Sequence, residues 1–572
     1  MSSKDEDESQ TEHHEIVTAS SIDIYHGKCS KRHIRKLLRY IDESTFSKFI
    51  PGGYSPSRCL TYSGKPMVYS ILLLAGTAIM FFGYDASVMS LVNTNEDYLA
   101  LMGVASGSDR DSAAIGGLVS VWFGGFAIGI CYCSHVKRRA AELYHIGRLK
   151  TIELGCLWGL LGAALQASAQ NLTWMMFARI IGGVGCGHMN TVVPIWTSEL
   201  ADPNMRGAFV AVEFTLALAG STMWISVYWM EYACLKTQSL SFAWRFPLGL
   251  QAIFLIIILV FIPFFPESPR YLTKIKQVAS ARQILSQCRL HPTPESIDQE
   301  IHEIETAIRL EATSTSHSFT SMLFTKDNLH TRRRVLLGAG VQVMQKLTGI
   351  DFIATYAPEM FTLAGYKGDK PALLAGGNYI SYTASLALAI WLSDRFGRRR
   401  LMLTGSSLMG VVLIVGGVLS HEVTKKAAEG DANGANRLGG GVAAILYLYT
   451  CIYGSTWLTT CWVYPTEIFP LASRAKGVAL ATVAFSIAGG VINEIVPYLI
   501  NAIGFWVFIL FALINLIMLV PIYCFYIGNS NRCEKGKTAN RHLEDLDLLF
   551  AGDSCLSWRA EKQFRELKEV DV

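Results

Sequence analysis

The chain has little charge for its length. Asp, Glu, Lys and Arg make up 17% of its 572 residues, whereas 51% of the residues are hydrophobic. These charges concentrate in the two ends and in one central stretch. A soluble chain of this length spreads charged side chains over its whole surface. The scarcity of charge elsewhere therefore excludes an ordinary soluble protein.

Motifs of catalysis and metal binding are also missing. The sequence contains no P-loop, no GxSxG elbow and no HExxH motif. Its 13 cysteines include no CxxC pair and have no histidine partner at zinc spacing, so we interpret them as small apolar residues. The glycine cluster IIGGVGCGHMN (180–190) follows no strand and indicates close helix packing. We expect no enzyme activity, no cofactor, no metal and no nucleic-acid partner.

What the sequence does contain is a series of apolar runs of about 20 residues, each long enough as a helix to cross a bilayer core. Backbone groups in lipid must be satisfied by a helix or a closed barrel, and runs of this length exclude barrel strands. The sequence therefore predicts an all-α polytopic membrane protein. Its predicted spans are 67–91, 113–135, 151–170, 173–194, 208–232, 245–265, 333–362, 372–393, 401–420, 441–465, 475–500 and 504–527.

The charges between the spans predict the orientation. Residues 1–66 contain no apolar core followed by a cleavage site, so the first span is expected to insert uncleaved, with the tail in the cytosol. Arginine and lysine then favour the cytosolic connections, as the positive-inside rule requires. We expect both termini in the cytosol and the plasma membrane as the location. On this basis alone, SDRFGRRR (393–400) is a topology anchor.

Two pairs of related motifs divide the chain into halves. TSELADPNMRG (197–207) and TEIFPLASRAKG (466–477) each place an arginine seven residues after a glutamate. HIGRLK (145–150) and RFGRRR (395–400) occupy equivalent connections. Parallel repeats predict two six-helix bundles. The predicted domains are an N-terminal tail (1–66), a first bundle (67–266), a helical linker (267–332), a second bundle (333–527) and a C-terminal tail (528–572).

The predicted linker is polar but contains one apolar pattern. Ile297, Ile301 and Ile304 keep helical spacing, which gives a helix one apolar face. This pattern predicts short surface helices on the cytosolic side of the membrane.

A series of short motifs follows in order along the spans and their connections. The segments are FGYD (82–85), ARIIGGVGCG (178–187), VPIWTSEL (193–200), WRFPLGLQ (244–251), PESPR (266–270), QKLTGID (345–351), SDRFGRRR (393–400), WVYPTEIFP (462–470) and RAKG (474–477). With these motifs the chain resembles the sugar porter branch of the major facilitator superfamily, most closely its fungal-type members, over about 67–550. The resemblance implies 12 transmembrane helices in two pseudo-symmetric six-helix bundles plus cytosolic helices, with alternating access between the bundles.

In that family the cytosolic motifs form a charge lattice that holds the outward-open state. This chain departs from the pattern at Tyr144, where an Asp is expected, and the run CYCSHVKRRAAE (131–142) lengthens the same connection. Both departures weaken the lattice in the amino-terminal half. The resemblance assigns the cytosolic gate to Glu199, Arg206, Glu267, Arg270, Asp394, Arg398, Glu467 and Arg474.

A carboxylate inside the first span suggests proton coupling. Asp85 lies where a charge costs about 2.5–3.5 kcal/mol on insertion scales, and such residues are functional candidates. A structural helix contact is the alternative. In the proton-coupled members of the family, an Asp at this position lies beside a fourth-span arginine, here Arg179, whereas uniporters commonly carry a neutral residue. Breaking and remaking this pair would load and release a proton.

The resemblance places substrate contacts at Gln345, Asn378 and Trp462. Amides and an indole suit the hydroxyl groups and the apolar face of a sugar ring, although packing between helices explains each residue equally well. Lys346 and Asp351 stand where the family usually has a Gln and an Asn. These replacements favour a ligand other than a common hexose.

Other family amides are replaced as well, by Phe214 and Gly489. An unpaired cation near the middle of the membrane is costly, so Lys346 needs a partner. Either Asp351 or Glu213 neutralises it and the ligand is uncharged, or Lys346 binds a carboxylate of a sugar acid. We favour the neutral ligand because Asp351 is close in sequence.

Together these patterns predict a monomeric secondary transporter that imports a sugar, polyol or sugar acid by proton symport. Its predicted partners are this small-molecule substrate, protons and the lipid bilayer. Two alternatives remain, a facilitative uniporter and a nutrient sensor of the same fold that does not transport.

Overall fold

A computed structural model describes residues 63–104, 108–143, 147–201, 240–289, 292–313, 319–324, 330–368, 370–469, 473–526, 557 and 559. All regular secondary structure in these ranges is helical. The fifth predicted span (208–232) and nearly all of the predicted N-terminal tail lie outside them.

The first half contains seven described helices and one short turn. Asn95 and Asn171 begin two of the helices, where each side-chain oxygen accepts a hydrogen bond from a backbone N–H of the first turn. The helices are α1 (Lys65–Val92), α2 (Glu96–Met102), α3 (Asp109–Leu143), α4 (Arg148–Ala167), α5 (Leu172–Leu200), α6 (Leu240–Leu250) and α7 (Ala252–Phe261), and α7 continues into a 3-10 turn (Ile262–Phe264).

Glycines let α5 pack tightly between α3 and α4. A Cβ atom on Gly183 would lie 2.3 Å from the Trp122 carbonyl oxygen of α3. One on Gly185 would lie 2.5 Å from the Gly159 nitrogen of α4. Only glycine permits backbones to approach this closely. The prediction that the glycine cluster serves helix packing is therefore confirmed.

Four helices, three of them short, follow the first half. They are α8 (Pro269–Lys274), α9 (Val278–Cys288), α10 (Pro294–Thr313) and α11 (Phe319–Phe324). Leu285 of α9 packs with Ile297 and Ile301 of α10, and Ile304 lies against this cluster. The isoleucine spacing thus predicted the buried face of α10 correctly.

The second half contains nine described helices. They are α12 (Thr331–Leu347), α13 (Ile350–Ala354), α14 (Ala357–Leu363), α15 (Lys370–Phe396), α16 (Arg398–Ala428), α17 (Ala432–Tyr453), α18 (Thr459–Ile468), α19 (Arg474–Ile503) and α20 (Trp506–Phe525). One π-helical turn (Gly454–Leu458) joins α17 to α18.

Two sequence predictions of continuous or connecting segments were wrong in detail. The seventh span (333–362) is broken between α12 and α13, where Gly349 has a φ of 94° that favours glycine. The tenth span (441–465), by contrast, lies within one continuous helical segment, Asn433–Ile468, whose π turn places Gly454 against the side chain of Ser385. The run 131–142 continues α3 as a helix instead of forming a longer connection.

Seven helices of the described ranges are long and apolar enough to cross a membrane, judged by length and composition. The other described spans fall in α4, α5, α12 to α14 and α15. Their apolar runs are interrupted by buried polar or charged residues, such as Arg179 of α5 and Gln345 of α12. The seven are Lys65–Ser90, Arg110–Cys133, Ser241–Phe264, Arg398–Ala428, Asn433–Ile468, Lys476–Ile503 and Trp506–Phe525.

Helices α3 and α19 join the two halves. Ser120 of α3 donates a hydrogen bond to the Gly490 carbonyl of α19 at 2.8 Å. Near the first residues of α3, Asn501 donates to the Ser112 hydroxyl. Gly116 lies against the α19 backbone, where a Cβ would be 2.8 Å from the Glu494 carbonyl oxygen. The two halves therefore contact each other over several turns of both helices.

Candidate transport site

Asp85 and Arg179 form a buried ion pair in the first half. Arg179 Nη1 lies 3.0 Å from Asp85 Oδ1, and the two side chains are 1% and 0% exposed. The second oxygen, Oδ2, accepts hydrogen bonds from the Trp122 indole at 2.6 Å and from the Cys186 thiol at 3.3 Å. Helices α1, α3 and α5 thus meet at one carboxylate, whose charge is matched and whose oxygens are both bonded.

The arginine of this pair has a second contact in α4. Its Nη1 donates to Gln166 Oε1 at 3.4 Å, and its guanidinium carbon lies 5.6 Å from the centre of the Trp122 ring. Within the described ranges, Arg179 Nε and Gln166 Nε2 have no hydrogen-bond partner. Arg179 therefore keeps bonding capacity for a rearranged state of the pair.

Lys346 and Asp351 form a second buried ion pair, in the other half. Lys346 Nζ lies 2.8 Å from Asp351 Oδ1. Five residues of continuous helix would turn the two side chains about 140° apart. The break at Gly349 brings them together. Asn493 of α19 donates to the second oxygen, Asp351 Oδ2, at 3.0 Å.

Aromatic rings surround the ammonium group of Lys346. Its Nζ lies 4.2 Å from the centre of the Phe485 ring and 4.9 Å from that of Phe123. Trp462, one of the predicted substrate contacts, packs on Phe485 with ring centres 5.1 Å apart. The ring of Phe123 also fills the space beside Gly489, where a Cβ would lie 2.6 Å from it. An aromatic ring of the first half thus occupies the place at which the family resemblance predicts an amide.

The other two predicted substrate residues both bond to α17. Gln345 donates to the Tyr453 hydroxyl at 2.7 Å, and Asn378 Oδ1 accepts from the Thr450 hydroxyl at 2.6 Å. Thr450 and Tyr453 are three residues apart and share one face of the helix. In the described part of the chain, Gln345 Oε1 and Asn493 Oδ1 are buried acceptors without a partner. Hydroxyl groups of a ligand would satisfy them.

At the predicted cytosolic end of the first half, Arg148 binds Glu199 with two hydrogen bonds of 2.9 and 3.0 Å. Glu267 accepts hydrogen bonds from the backbone N–H groups of Arg148 and Leu149 at the start of α4. Burial raises the pKa of the Glu267 carboxyl above its usual range, while these N–H donors act in the opposite direction. Gly147 admits the carboxylate, because a Cβ there would lie 2.0 Å from it.

The second half repeats this arrangement. Arg398 Nη2 lies 2.8 Å from Glu467 Oε1, and Arg474 donates to the Phe469 carbonyl oxygen at 3.3 Å. Both ion pairs join helices of the same half. Arg270 lies in α8. Arg206, Glu213, Phe214 and Tyr144 fall outside the described residues, as does the side chain of Asp394.

The sequence interpretation missed several residues of these sites. Asn493 carried a signal, because it is an amide in an apolar span one turn after Gly489. Arg148 carried one as well, since it occupies the position of Arg398 in the repeated motif. Trp122 and Cys186 gave no signal, because both residue types are ordinary in apolar helices.

The helical halves, buried ion pairs and paired motifs define a membrane transporter of the major facilitator class. The family model described as "Sugar (and other) transporter" matches residues 71–533. The chain belongs to this family, and it is an integral membrane transporter, not an enzyme.

Named relatives cover most of the chain. It is 31% identical to the MFS-type transporter oryC of Aspergillus oryzae, over 86% of this chain and 87% of that protein. It is 29% identical to the MFS-type transporter criB of Aspergillus cristatus, over 85% and 94%. It is 25% identical to the sugar transporter STL1 of Saccharomyces cerevisiae, over 89% and 86%.

Solved structures share the fold. The proton:xylose symporter XylE bound to 6-bromo-6-deoxy-D-glucose superposes with a TM-score of 0.67 at 21% identity, covering 85% of this chain and 100% of that one. The inward open conformation of XylE from E. coli gives 0.64 at 21% identity, over 84% and 99%. These likenesses confirm the predicted major facilitator fold.

Proposed function

We propose that the protein imports a sugar or related polyhydroxy solute by proton symport with alternating access. The observation that carries this proposal is the buried pair of Asp85 and Arg179. A carboxylate that is fully bonded when charged must exchange its partners when it takes a proton. Such an exchange is a means of linking proton binding to a change of conformation.

The proton gradient supplies enough energy for accumulation. A membrane potential of 100 mV contributes about 2.3 kcal/mol per proton. One pH unit adds about 1.4 kcal/mol. One proton per solute therefore supports accumulation of several hundredfold.

We infer a ligand without net charge. The Lys346 and Asp351 charges neutralise each other at 2.8 Å, and Asn493 binds the remaining carboxylate oxygen. The buried acceptors Gln345 Oε1 and Asn493 Oδ1 suit hydroxyl donors, and Trp462 offers a ring face. Relatives named for glucose and galactose transport support a sugar or polyol.

We propose that the ion pairs at the arginine-rich end act as the cytosolic gate. Arg206, Arg270, Asp394 and Arg474 are assigned to the same gate. The positive-inside pattern supports cytosolic termini. The proposed import implies a plasma-membrane location. We further propose a monomer, with domain limits at residues 66, 266, 332 and 527.

Uptake into proteoliposomes tests this function. The purified protein is reconstituted, and radiolabelled D-glucose, D-xylose, glycerol and quinate are offered with and without an inward proton gradient. Symport predicts accumulation above equilibrium only with the gradient. Uptake that merely equilibrates indicates the uniporter. Saturable binding without any uptake indicates the sensor.

A further inference from the structure

Two consecutive residues of α3 contact the two buried ion pairs. Trp122 donates to Asp85 in the first half, and the ring of Phe123 lies 4.9 Å from Lys346 of the second half. Neighbours on a helix point about 100° apart, so one turn of α3 reaches both pairs. We propose that Trp122 and Phe123 couple the protonation of Asp85 to the contacts of Lys346. This inference rests on the proton coupling proposed above.

The first contact depends on the charge of Asp85. An indole N–H donates more strongly to a carboxylate than to a neutral carboxyl group, and here the Trp122 indole lies 2.6 Å from Asp85 Oδ2. Protonation also leaves Arg179 without its counter-charge, 5.6 Å from the centre of the Trp122 ring. Both changes act directly on the position of Trp122.

A movement of Trp122 is transmitted to Phe123 by direct ring contact and by the close packing around this turn of α3. The two rings meet edge to face, with centres 5.0 Å apart. Two glycines pack closely against this turn. A Cβ on Gly183 of α5 would lie 2.3 Å from the Trp122 carbonyl oxygen, and a Cβ on Gly489 of α19 would lie 2.6 Å from the Phe123 ring. Close-packed interiors respond by shifting between discrete arrangements, not by absorbing the strain.

The second contact crosses between the halves. Lys346 contacts Asp351 and Phe485 of its own half, and Asp351 in turn accepts from Asn493 of that half, whereas Phe123 belongs to the first half. When the halves move relative to each other, the contact with Phe123 changes while the others travel with Lys346. Phe123 is therefore a positioning residue for Lys346.

The charged and titratable groups near the two ion pairs come from several helices of the described part of the chain. Arg179 and Cys186 of α5 face Asp85, Tyr84 is its neighbour on α1, and Tyr98 of α2 interacts electrostatically with Arg179. Helix α3 contributes Trp122 and α4 contributes Gln166, neither of which titrates. At the other pair, Asp351 faces Lys346, and the tyrosines that interact electrostatically with Asp351 are Tyr356, Tyr379, Tyr382, Tyr449 and Tyr453. Glu359 of α14 and Glu494 of α19 interact with Tyr356 in turn.

A buried reporter on α3 tests the coupling without a substrate. Ser112→Cys places a thiol at a 4% exposed site that contacts α19. Its labelling rate by a membrane-impermeant maleimide reports separation of the two helices at that end, after subtraction of the rate of the parent protein. Because the reactive thiolate is scarcer at low pH, each rate is divided by the rate of the same thiol in detergent-denatured protein at the same pH. The measured quantity is the ratio of this normalised rate at pH 5.5 to that at pH 7.5, in full-length protein in liposomes.

The reporter protein is expected to show a ratio that differs from one by about fivefold or more, as for typical coupled sites. Asp85→Asn should abolish the pH dependence, and Phe123→Leu should reduce it to within about twofold. Phe126→Leu is the matched control, because Phe126 is also a buried phenylalanine of α3 and stacks on Trp122, with ring centres 5.4 Å apart. It should keep the ratio of the reporter protein.

The coupling is overturned if Phe123→Leu keeps the labelling ratio of the reporter protein. It is also overturned if Phe126→Leu reduces that ratio as much as Phe123→Leu does. If Phe123→Leu does not elute as a folded monodisperse protein, Lys346→Gln combined with Asp351→Asn tests the same link from its other end and should also lose the ratio. A ratio near one in the reporter protein, with uptake indifferent to the proton gradient, removes the proposed proton coupling and the link together. A normal ratio that survives both Phe123→Leu and the double change removes only the link.

Discussion

Buried charge at the residue scale is tolerated here because each ion meets its partner at hydrogen-bond distance. Asp85 has Arg179, Trp122 and Cys186, and Lys346 has Asp351 and two rings. Removing one member of a buried pair leaves an uncompensated charge, which is costlier than removing both. Single and double substitutions therefore test each pair in different ways.

Asp85→Asn keeps the shape of the side chain but cannot carry a proton. We expect gradient-driven accumulation in proteoliposomes to fall to equilibrium, while exchange of labelled for unlabelled solute continues. Cys186→Ser is the control, since its hydroxyl can still donate to the same carboxylate, and it should retain accumulation. Uphill uptake by Asp85→Asn at the level of the unchanged protein would refute the assignment.

Lys346→Met is expected to destabilise the protein by about 3–5 kcal/mol, because Asp351 stays buried without its cation. Lys346→Gln combined with Asp351→Asn removes both charges and should cost clearly less. Thermal unfolding in detergent measures both. Equal unfolding temperatures for the single and double variants would contradict the paired arrangement.

The same double variant also tests the charge of the ligand. Quinate uptake that survives the double change would exclude Lys346 as a carboxylate anchor.

At the scale of elements, the break between α12 and α13 creates the second ion pair. A continuous helix would keep Lys346 and Asp351 on different faces. Gly349 lies between α12 and α13 in the left-handed region, and its bare Cα lies against the ring of Phe511. One glycine therefore determines whether these two charges meet.

Gly349→Ala should lower the unfolding temperature for two reasons. The left-handed backbone costs a residue with a Cβ about 1–2 kcal/mol. In addition, the new Cβ would lie 2.9 Å from Phe511 Cγ. Gly368→Ala is the matched control, because it has a φ of 67° and no atom within 4 Å of the added Cβ. Equal losses in the two variants would show that the contact with Phe511 does not matter.

The ion pair of Arg398 and Glu467, at the arginine-rich end of the second half, provides the test of the gate. Glu467→Gln weakens the pair with Arg398, and a partly exposed pair contributes about 1 kcal/mol or less. We therefore expect up to about a fivefold rise in maleimide labelling of Ala479→Cys, a buried position of α19 near this end. Glu422→Gln, on the same helix as Arg398 but at its far end, should leave the rate unchanged. Unchanged labelling in Glu467→Gln would leave only the topology-anchor interpretation of SDRFGRRR.

At the scale of the whole molecule, the chain consists of two halves with six predicted spans apiece. Each half has one ion pair in its interior and one at its arginine-rich end. α3 and α19 join the halves through hydrogen bonds and close backbone contacts. A movement of one half against the other would change these contacts directly, whereas each of the four ion pairs lies within a single half. This division suits alternating access.

Proton symport fixes how accumulation depends on pH. With the membrane potential clamped, removing one pH unit of the gradient should lower steady-state accumulation about tenfold for one proton per solute. Measurement of internal and external labelled solute at several external pH values gives this slope. Accumulation that does not change with the gradient would favour a uniporter instead.

Much of the architecture could be predicted from the sequence, because the bilayer imposes its requirements residue by residue. Span lengths, the repeated motifs and the helical face of Ile297 and Ile301 depend only on neighbours along the chain. Asp85 and Arg179 were identified as candidates because charge in an apolar span is conspicuous. The contact between them required the fold.

Tertiary structure decided which side chains meet. Asn493 reaches Asp351 because α19 packs against the broken α12, and Phe123 reaches Lys346 because α3 of the other half packs against α19. Trp122 is indistinguishable in sequence from any buried aromatic residue until Asp85 lies 2.6 Å away. Such contacts join residues far apart along the chain, so composition, spacing and periodicity carry no record of them.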